Sequence, residues 1–236
     1  MSEQTEQFGF LNSNILKIIA LVTMTIDHIG AIIFPQYEIL RIIGRIAFPI
    51  FAYMIAEGCF YTKHKKRYLG EILIIGAICQ VVFYIFDHSF YMCVMITFAL
   101  SIMIIFSIQW AKKKDSIPAW ILPLALIAGV YVLSVTIPGI VGEKVFHIDY
   151  GFVGIMIPVG VYLAENKWLK LLVMAGGLFL LGQLSVDPVQ MWGLLALIPL
   201  LFYNGKRGKI RMGQFFYIYY PLHLGALWGI NFALKM

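Results

Sequence analysis

Charge is scarce in this chain, and acidic charge scarcest. Only 12 of its 236 residues are Asp or Glu, and charged residues of both signs make up 13%. With 61% hydrophobic residues and a mean hydropathy of +0.86, a soluble globular domain is excluded. Paired cysteines are also missing. Cys59, Cys79 and Cys93 lie in or beside apolar stretches without a paired spacing and read as small apolar residues. There is no HExxH or CxxC, the five histidines fall in five separate segments, and no metal site is expected. Walker and dinucleotide glycine motifs are absent too. No linker, repeat or low-complexity tract divides the chain, so a single domain over residues 1–236 is expected. The opening residues, MSEQTEQFGFLNSN, carry no basic n-region, and no small-residue cleavage site follows the first apolar stretch. That stretch is expected to be a retained helix.

What the chain does have is hydrophobic length. Nine apolar segments lie at about 15–34, 38–58, 69–86, 90–110, 119–138, 151–165, 168–185, 190–203 and 213–233, the sixth and eighth short for a full crossing. Continuous runs near twenty residues are helical and exclude a closed barrel, whose strands alternate. The fold class expected is all-α, a polytopic membrane protein with about nine transmembrane helices. Thirteen of the 18 Lys and Arg residues sit in four alternate loops, TKHKKR, AKKKD, ENKWLK and NGKRGKIR, whereas the loops between them hold only Lys144. By the positive-inside rule the amino terminus is cytoplasmic, the carboxyl terminus is on the outer side, and the location is a cytoplasmic (inner) membrane. The basic residues are then topology determinants facing a lipid bilayer, not a nucleic-acid surface.

Against this background the polar residues inside the spans stand out. Asp27 and His28 sit side by side within LKIIALVTMTIDHIGAIIF, where each charged group costs about 3 kcal/mol to insert. Lys17 precedes His28 by eleven residues, which places both near one helix face, about 16 Å apart along the axis. In the second span Arg41 and Arg45 are four residues apart, with Glu38 one turn earlier. A very short loop joins these two spans, so a carboxylate, an imidazole and two guanidinium groups are expected to meet in the outer half of the membrane. A purely structural reading is that Asp27 neutralises Arg41 or Arg45 so that the hairpin inserts. The last span, YIYYPLHLGALWGI, sets His223 three and four residues after Tyr220 and Tyr219, and Pro221 frees a backbone carbonyl nearby. The segment HIDYG brings His147, Asp149 and Tyr150 to the mouth of the sixth span, with Asp149 a candidate helix N-cap. Glu57 reads as an ion-pair partner for the basic loop that follows it, and His64 and His88 are given no role.

LKIIALVTMTIDHIG, RIIGRIAFPIFAYMIAEG, DYGFVGIMIPV and FYIYYPLHL, in that order, resemble the TraX family, the conjugative F-pilin acetylases. The similarity runs from about residue 14 to residue 231. That family is grouped with the wider transmembrane acyltransferases, whose first helix often carries Arg, ten residues, then His. Here the spacing runs from Lys17 to His28, and lysine keeps the charge but loses the planar fork.

The resemblance implies acetyl transfer from acetyl-CoA to an amine or hydroxyl on a peptide, sugar or lipid-linked acceptor, a pilin amino terminus among them. His28 would be general base or transient acyl carrier, with Asp27 or another carboxylate orienting its ring and His223 a further catalytic candidate. Arg41 or Arg45 would hold the oxyanion. Arg45 is assigned to catalysis, Arg41 and Lys17 to the donor, and Asp149, Tyr150 and Tyr220 to the acceptor. The competing functions are a small proton-coupled transporter using Asp27, His28 and His223 as a relay, and a non-catalytic assembly factor. The first lacks evident inverted repeats. The second leaves the polar cluster unexplained.

The alternation of basic loops yields a direct test. Cysteines placed at Gln36 and Asp187 are expected to react with an impermeant thiol reagent from outside, and one at Lys113 is not. Protection at Asp187 together with reaction at Lys113 would invert the topology.

Overall fold

Hydrocarbon offers no water to backbone N–H and C=O groups, so an apolar run that crosses it must satisfy them within itself, as a helix. The computed structural model describes residues 9–87, 90–142, 145–208 and 213–235. His88, Lys144, Lys209 and Arg211 lie outside the described residues. Each apolar segment is helical over most of its length. The order is α1 (Ser13–Ile32), α2 (Glu38–Gly44), α3 (Ala47–Tyr61), α4 (Lys65–Asp87), β1 (Phe90–Met92), α5 (Val94–Lys114), α6 (Ile121–Tyr131), α7 (Ile137–Val141), β2 (Phe146–Ile148), α8 (Gly151–Leu163), α9 (Lys167–Leu184), α10 (Leu197–Leu201) and α11 (Gly213–Lys235). Among the described residues six helical runs are long and apolar enough to cross a bilayer, α1, Glu38–Tyr61, Lys65–Ile85, α5, Ile117–Val141 and α9. The stretches Gly151–Leu163 and Pro188–Leu201 are shorter. α11 has 23 residues. The protein is an all-α, polytopic membrane protein.

Proline places the irregularities. Pro49 has no N–H to offer the carbonyl four residues back, which is that of Arg45, and the second span breaks there between α2 and α3. The N–H of Arg45 closes a tight turn on the carbonyls of Arg41 (3.1 Å) and Ile42 (3.3 Å). Pro138 likewise leaves Ser134 without its helical donor, and residues Val132–Thr136 widen into a π turn between α6 and α7. The Ser134 hydroxyl bonds back to the Val130 carbonyl at 2.7 Å. One departure from the expected pattern concerns the fourth span. Its first three residues are strand, not helix: β1 pairs in parallel with β2, and Tyr91 lies opposite His147. The two rings stack, with centroids 5.8 Å apart. His147 is thus a strand residue and not part of an irregular loop.

Within residues 1–236, expected as one domain, the chain forms two compact units, Met1–Met54 with Ala164–Met236, and Ile55–Leu163. In the second unit α5 is central and touches α4, α6 and α8. Its polar residues Thr97, Ser101 and Ser107 are buried and bond to backbone carbonyls. In the first unit α1 packs against α2 on one side and α11 on another. Its core includes Leu16, Ala20, Ile50, Tyr53, Met174 and Leu178. Asn12 caps α1, its side chain accepting from the N–H groups of Asn14 (3.0 Å) and Ile15 (3.1 Å).

Lipid tails supply no hydrophobic drive for helices to associate, so close backbone approach has to. Gly30 provides it between α1 and α2: a Cβ at that position would lie 2.7 Å from the Cβ of Leu40. Gly30→Ala is therefore expected to cost about 1–3 kcal/mol through overpacking and to lower Tm in detergent. Gly229→Ala is the control, since nothing lies within 4 Å of the added methyl. There Tm should hold or rise, as alanine favours helix by about 1 kcal/mol. Equal responses at the two positions would remove the close-approach argument.

Candidate active site

The site is built where α1, α2 and α11 converge. Asp27 and His28 are neighbours in sequence, so their side chains leave α1 about 100° apart and meet different helices. Asp27 turns to α2, where its Oδ2 accepts from Arg41 Nη1 at 2.6 Å and its backbone carbonyl accepts from the same nitrogen at 3.2 Å. Its Oδ1 is buried without a hydrogen-bond partner among the described residues. The carboxylate lies against the backbone of Gly44, where any Cβ would overlap it.

Arg45 has a carboxylate partner of its own in Asp187. It is buried, and its Nη2 donates to Asp187 Oδ2 at 2.7 Å. Asp187 caps the 3-10 segment Pro188–Ala196, its Oδ1 accepting from the Val189 N–H at 3.0 Å. Asp27 remains within electrostatic range of Arg45 and Asp187 as well as Arg41, so the expected cluster of one carboxylate and two guanidinium groups contains a second carboxylate. Asp187 was missed because it lies 142 residues beyond Arg45. Its one signal in the sequence is being the sole charge in SVDPVQ.

His28 turns to α11 and meets His223. His28 Nδ1 and His223 Nε2 are 3.0 Å apart, and His223 Nδ1 is 3.1 Å from the Tyr219 carbonyl. A carbonyl only accepts, so a neutral His223 carries its proton on Nδ1 and presents a lone pair at Nε2. His28 must then donate from Nδ1, which leaves its own lone pair on Nε2. The chain of bonds thus sets His28 up as a base at Nε2 and lets His223 share the charge once that nitrogen is protonated. The carboxylate expected to orient His28 is not on the ring; a second imidazole is.

Two tyrosines frame the pair. Tyr219 stacks on His223 with centroids 5.2 Å apart and planes 10° from parallel. The buried Tyr220 meets His223 edge-on at 5.4 Å and His28 at 6.3 Å. The phenol of Tyr219 is 2.8 Å from Thr25 Oγ1 on α1, a contact the sequence reading did not anticipate.

Lys17 stands toward the other end of α1, half-buried and within electrostatic range of Arg207. The segment around residues 203–208 is stitched to that end: Leu11 N–H donates to the Phe202 carbonyl at 3.0 Å, Asn204 N–H to Leu11 at 2.9 Å and Ser13 N–H to Lys206 at 3.0 Å. Lys167 Nζ donates to the Tyr203 carbonyl at 2.8 Å. Lys17, Lys167 and Arg207 are thereby gathered at one end of the first unit. Asp149 and Tyr150 belong to the second unit, in the turn between β2 and α8. Asp149 donates its N–H to the Met92 carbonyl at 2.9 Å and accepts from Thr97 Oγ1 at 2.6 Å, and Tyr150 adopts a left-handed φ of 62°.

A family model described as TraX protein matches residues 12–231. Among curated proteins, the chain is 28% identical to the probable fimbrial assembly protein FimC, serogroup H1, of Dichelobacter nodosus, covering 90% of this chain and 92% of that one. It is 26% identical to the protein TraX of Escherichia coli, covering 91% and 85% respectively. No solved structure matches.

The ion-pair geometry is checked by removing one charge and then both. Asp27→Ala leaves Arg41 without its carboxylate in a partly buried setting and should cost roughly 2 kcal/mol, between the values for exposed and buried pairs. The double variant Asp27→Ala/Arg41→Met should recover much of that loss in a detergent melting assay. No recovery would mean that Arg41 is not the group Asp27 neutralises.

Proposed function

This chain belongs to the TraX family, and for it we propose transfer of an acetyl group from acetyl-CoA to an amine or hydroxyl acceptor at the membrane. The observation that carries the reading is the ordered pair of imidazoles, with His28 Nδ1 3.0 Å from His223 Nε2. A base fixed in one tautomer, beside neutralised guanidinium groups in a low-dielectric setting, suits proton removal from an attacking nucleophile. Structural neutralisation alone accounts for the two ion pairs and leaves the imidazoles unused.

In the proposed reaction the acceptor nitrogen or oxygen attacks the thioester carbonyl carbon and its proton passes to His28 Nε2. The positive charge spreads to His223 as the Nδ1 proton shifts along the bond between the rings. The guanidinium of Arg41 engages Asp27 through Nη1, and its other donors are the candidates to hold the oxyanion. Collapse breaks the C–S bond, and the thiolate of coenzyme A leaves with the proton from His28. The products are an acetylated acceptor and free coenzyme A. The donor's phosphates fit the end that gathers Lys17, Lys167 and Arg207. With that end cytoplasmic, the imidazoles lie in the outer half of an inner-membrane protein. The name of the Dichelobacter relative, a probable fimbrial assembly protein, favours a pilus subunit's amino terminus as acceptor.

The test uses purified protein in nanodiscs with labelled acetyl-CoA and a pilin-type peptide. His28→Ala is expected to bind acetyl-CoA yet lose 10²- to 10⁴-fold in transfer, about the contribution of a general base. Lys17→Gln should raise the KM for acetyl-CoA more than it lowers kcat, and affinity should weaken with salt as exposed charges are screened. Near-normal transfer by His28→Ala would sink the assignment. Proton flux without acetyl-CoA would favour the transporter.

A further inference from the structure

The two imidazoles that carry the proposed chemistry sit on different helices, so something must hold α1 and α11 in register. Their own hydrogen bond is one rung between the helices. A second rung lies one turn away: Tyr219 OH to Thr25 Oγ1, 2.8 Å. On α1 the rungs are three residues apart, Thr25 to His28, and on α11 four, Tyr219 to His223, so each pair lies on one helix face.

The direction of the second rung follows from its neighbours. Thr25 Oγ1 lies 2.8 Å from the Leu21 carbonyl, which can only accept, so the threonine proton goes there. The Tyr219 phenol is therefore the donor to Thr25. Tyr219 meets His223 twice more, through its carbonyl at 3.1 Å and through its ring at 5.2 Å. A single residue thus sets the tautomer of His223, covers its face and ties both to α1.

We propose that Thr25 and Tyr219 are positioning residues for the His28–His223 pair, holding the rings in the alignment and tautomers that leave Nε2 of His28 unprotonated. The inference rests on the acyl-transfer reading for its kinetic consequence but not for its structural one. Neither residue touches the reacting atoms. Removing the rung leaves the stacked ring and the helical backbone in place but frees α11 to slide or turn against α1. A displacement near 1 Å between reacting groups costs about 10²-fold in rate.

Tyr219→Phe deletes only the phenol oxygen, and Thr25→Val replaces the hydroxyl with a methyl of similar size. Each is expected to lower kcat by 10- to 100-fold with the KM for acetyl-CoA unchanged. The double variant should be no worse than either single one, and Thr25→Ser should restore activity. ¹⁵N spectra of ring-labelled histidines in nanodiscs give a readout independent of turnover. The full chain should show Nδ1 protonated and Nε2 unprotonated in both rings at neutral pH; Tyr219→Phe and Thr25→Val should show mixed tautomers at His28, with His223 still held by the backbone carbonyl of residue 219. The kcat–pH profile of both variants should change shape, which simple loss of stability would not cause. Unaltered ring spectra in folded Tyr219→Phe or Thr25→Val overturn the proposal. Altered spectra with no acetyl transfer by any form, wild type included, uphold it and reject acyl transfer instead.

Discussion

An ionised group in hydrocarbon must be neutralised within a few ångströms, and the ion pair between Asp27 and Arg41, at 2.6 Å, meets that requirement for the α1–α2 hairpin. Much of the first unit follows from it. The pair fixes which face of α1 turns to α2, and because His28 is the next residue, it also fixes the face that turns to α11. Gly30 and the break before Pro49 then let the two helices approach and place Arg45 for Asp187. The imidazole pair is in this sense the far side of a contact made for electrostatic reasons.

The helical architecture was legible because membrane burial imposes length and hydropathy on each segment, and nine such segments can be counted directly. The pairing of Asp27 with an arginine of the next span was legible too, since a five-residue connection leaves no other neighbour. What escaped the sequence was distance. Arg45 and Asp187 are 142 residues apart and His28 and His223 are 195 apart, and no periodicity links such positions. Linear adjacency also misled: Asp27 beside His28 suggests a carboxylate orienting an imidazole, but a helix sends consecutive side chains in different directions. The strand pairing of β1 with β2 escaped for another reason. Three-residue strands flanked by apolar helices leave no alternating pattern long enough to read.

A second imidazole in the place usually given to a carboxylate changes the charge balance of the proposed reaction. An imidazole–carboxylate pair passes from −1 to 0 when it takes a proton, and two imidazoles pass from 0 to +1. Because Arg41 and Arg45 are each matched by an aspartate, the site would carry its extra positive charge only while the acceptor's proton is held. That timing coincides with the development of negative charge on the oxyanion and the departing sulfur. The resting site avoids the desolvation cost of a standing unbalanced ion.

The backbone of Gly44 against the Asp27 carboxylate has a consequence for how this family can drift. A Cβ at 44 would overlap the Cβ of Asp27 as well as its carboxyl, so this packing admits no side chain at 44 opposite any residue but glycine at 27. A lineage that gains a methyl at 44 must move α1 away from α2, and the Asp27–Arg41 pair then opens and leaves a cation in the bilayer without its carboxylate. Glycine at 44 is thereby inherited with the pair at 27 and 41, because the pair depends on the close approach that only glycine permits.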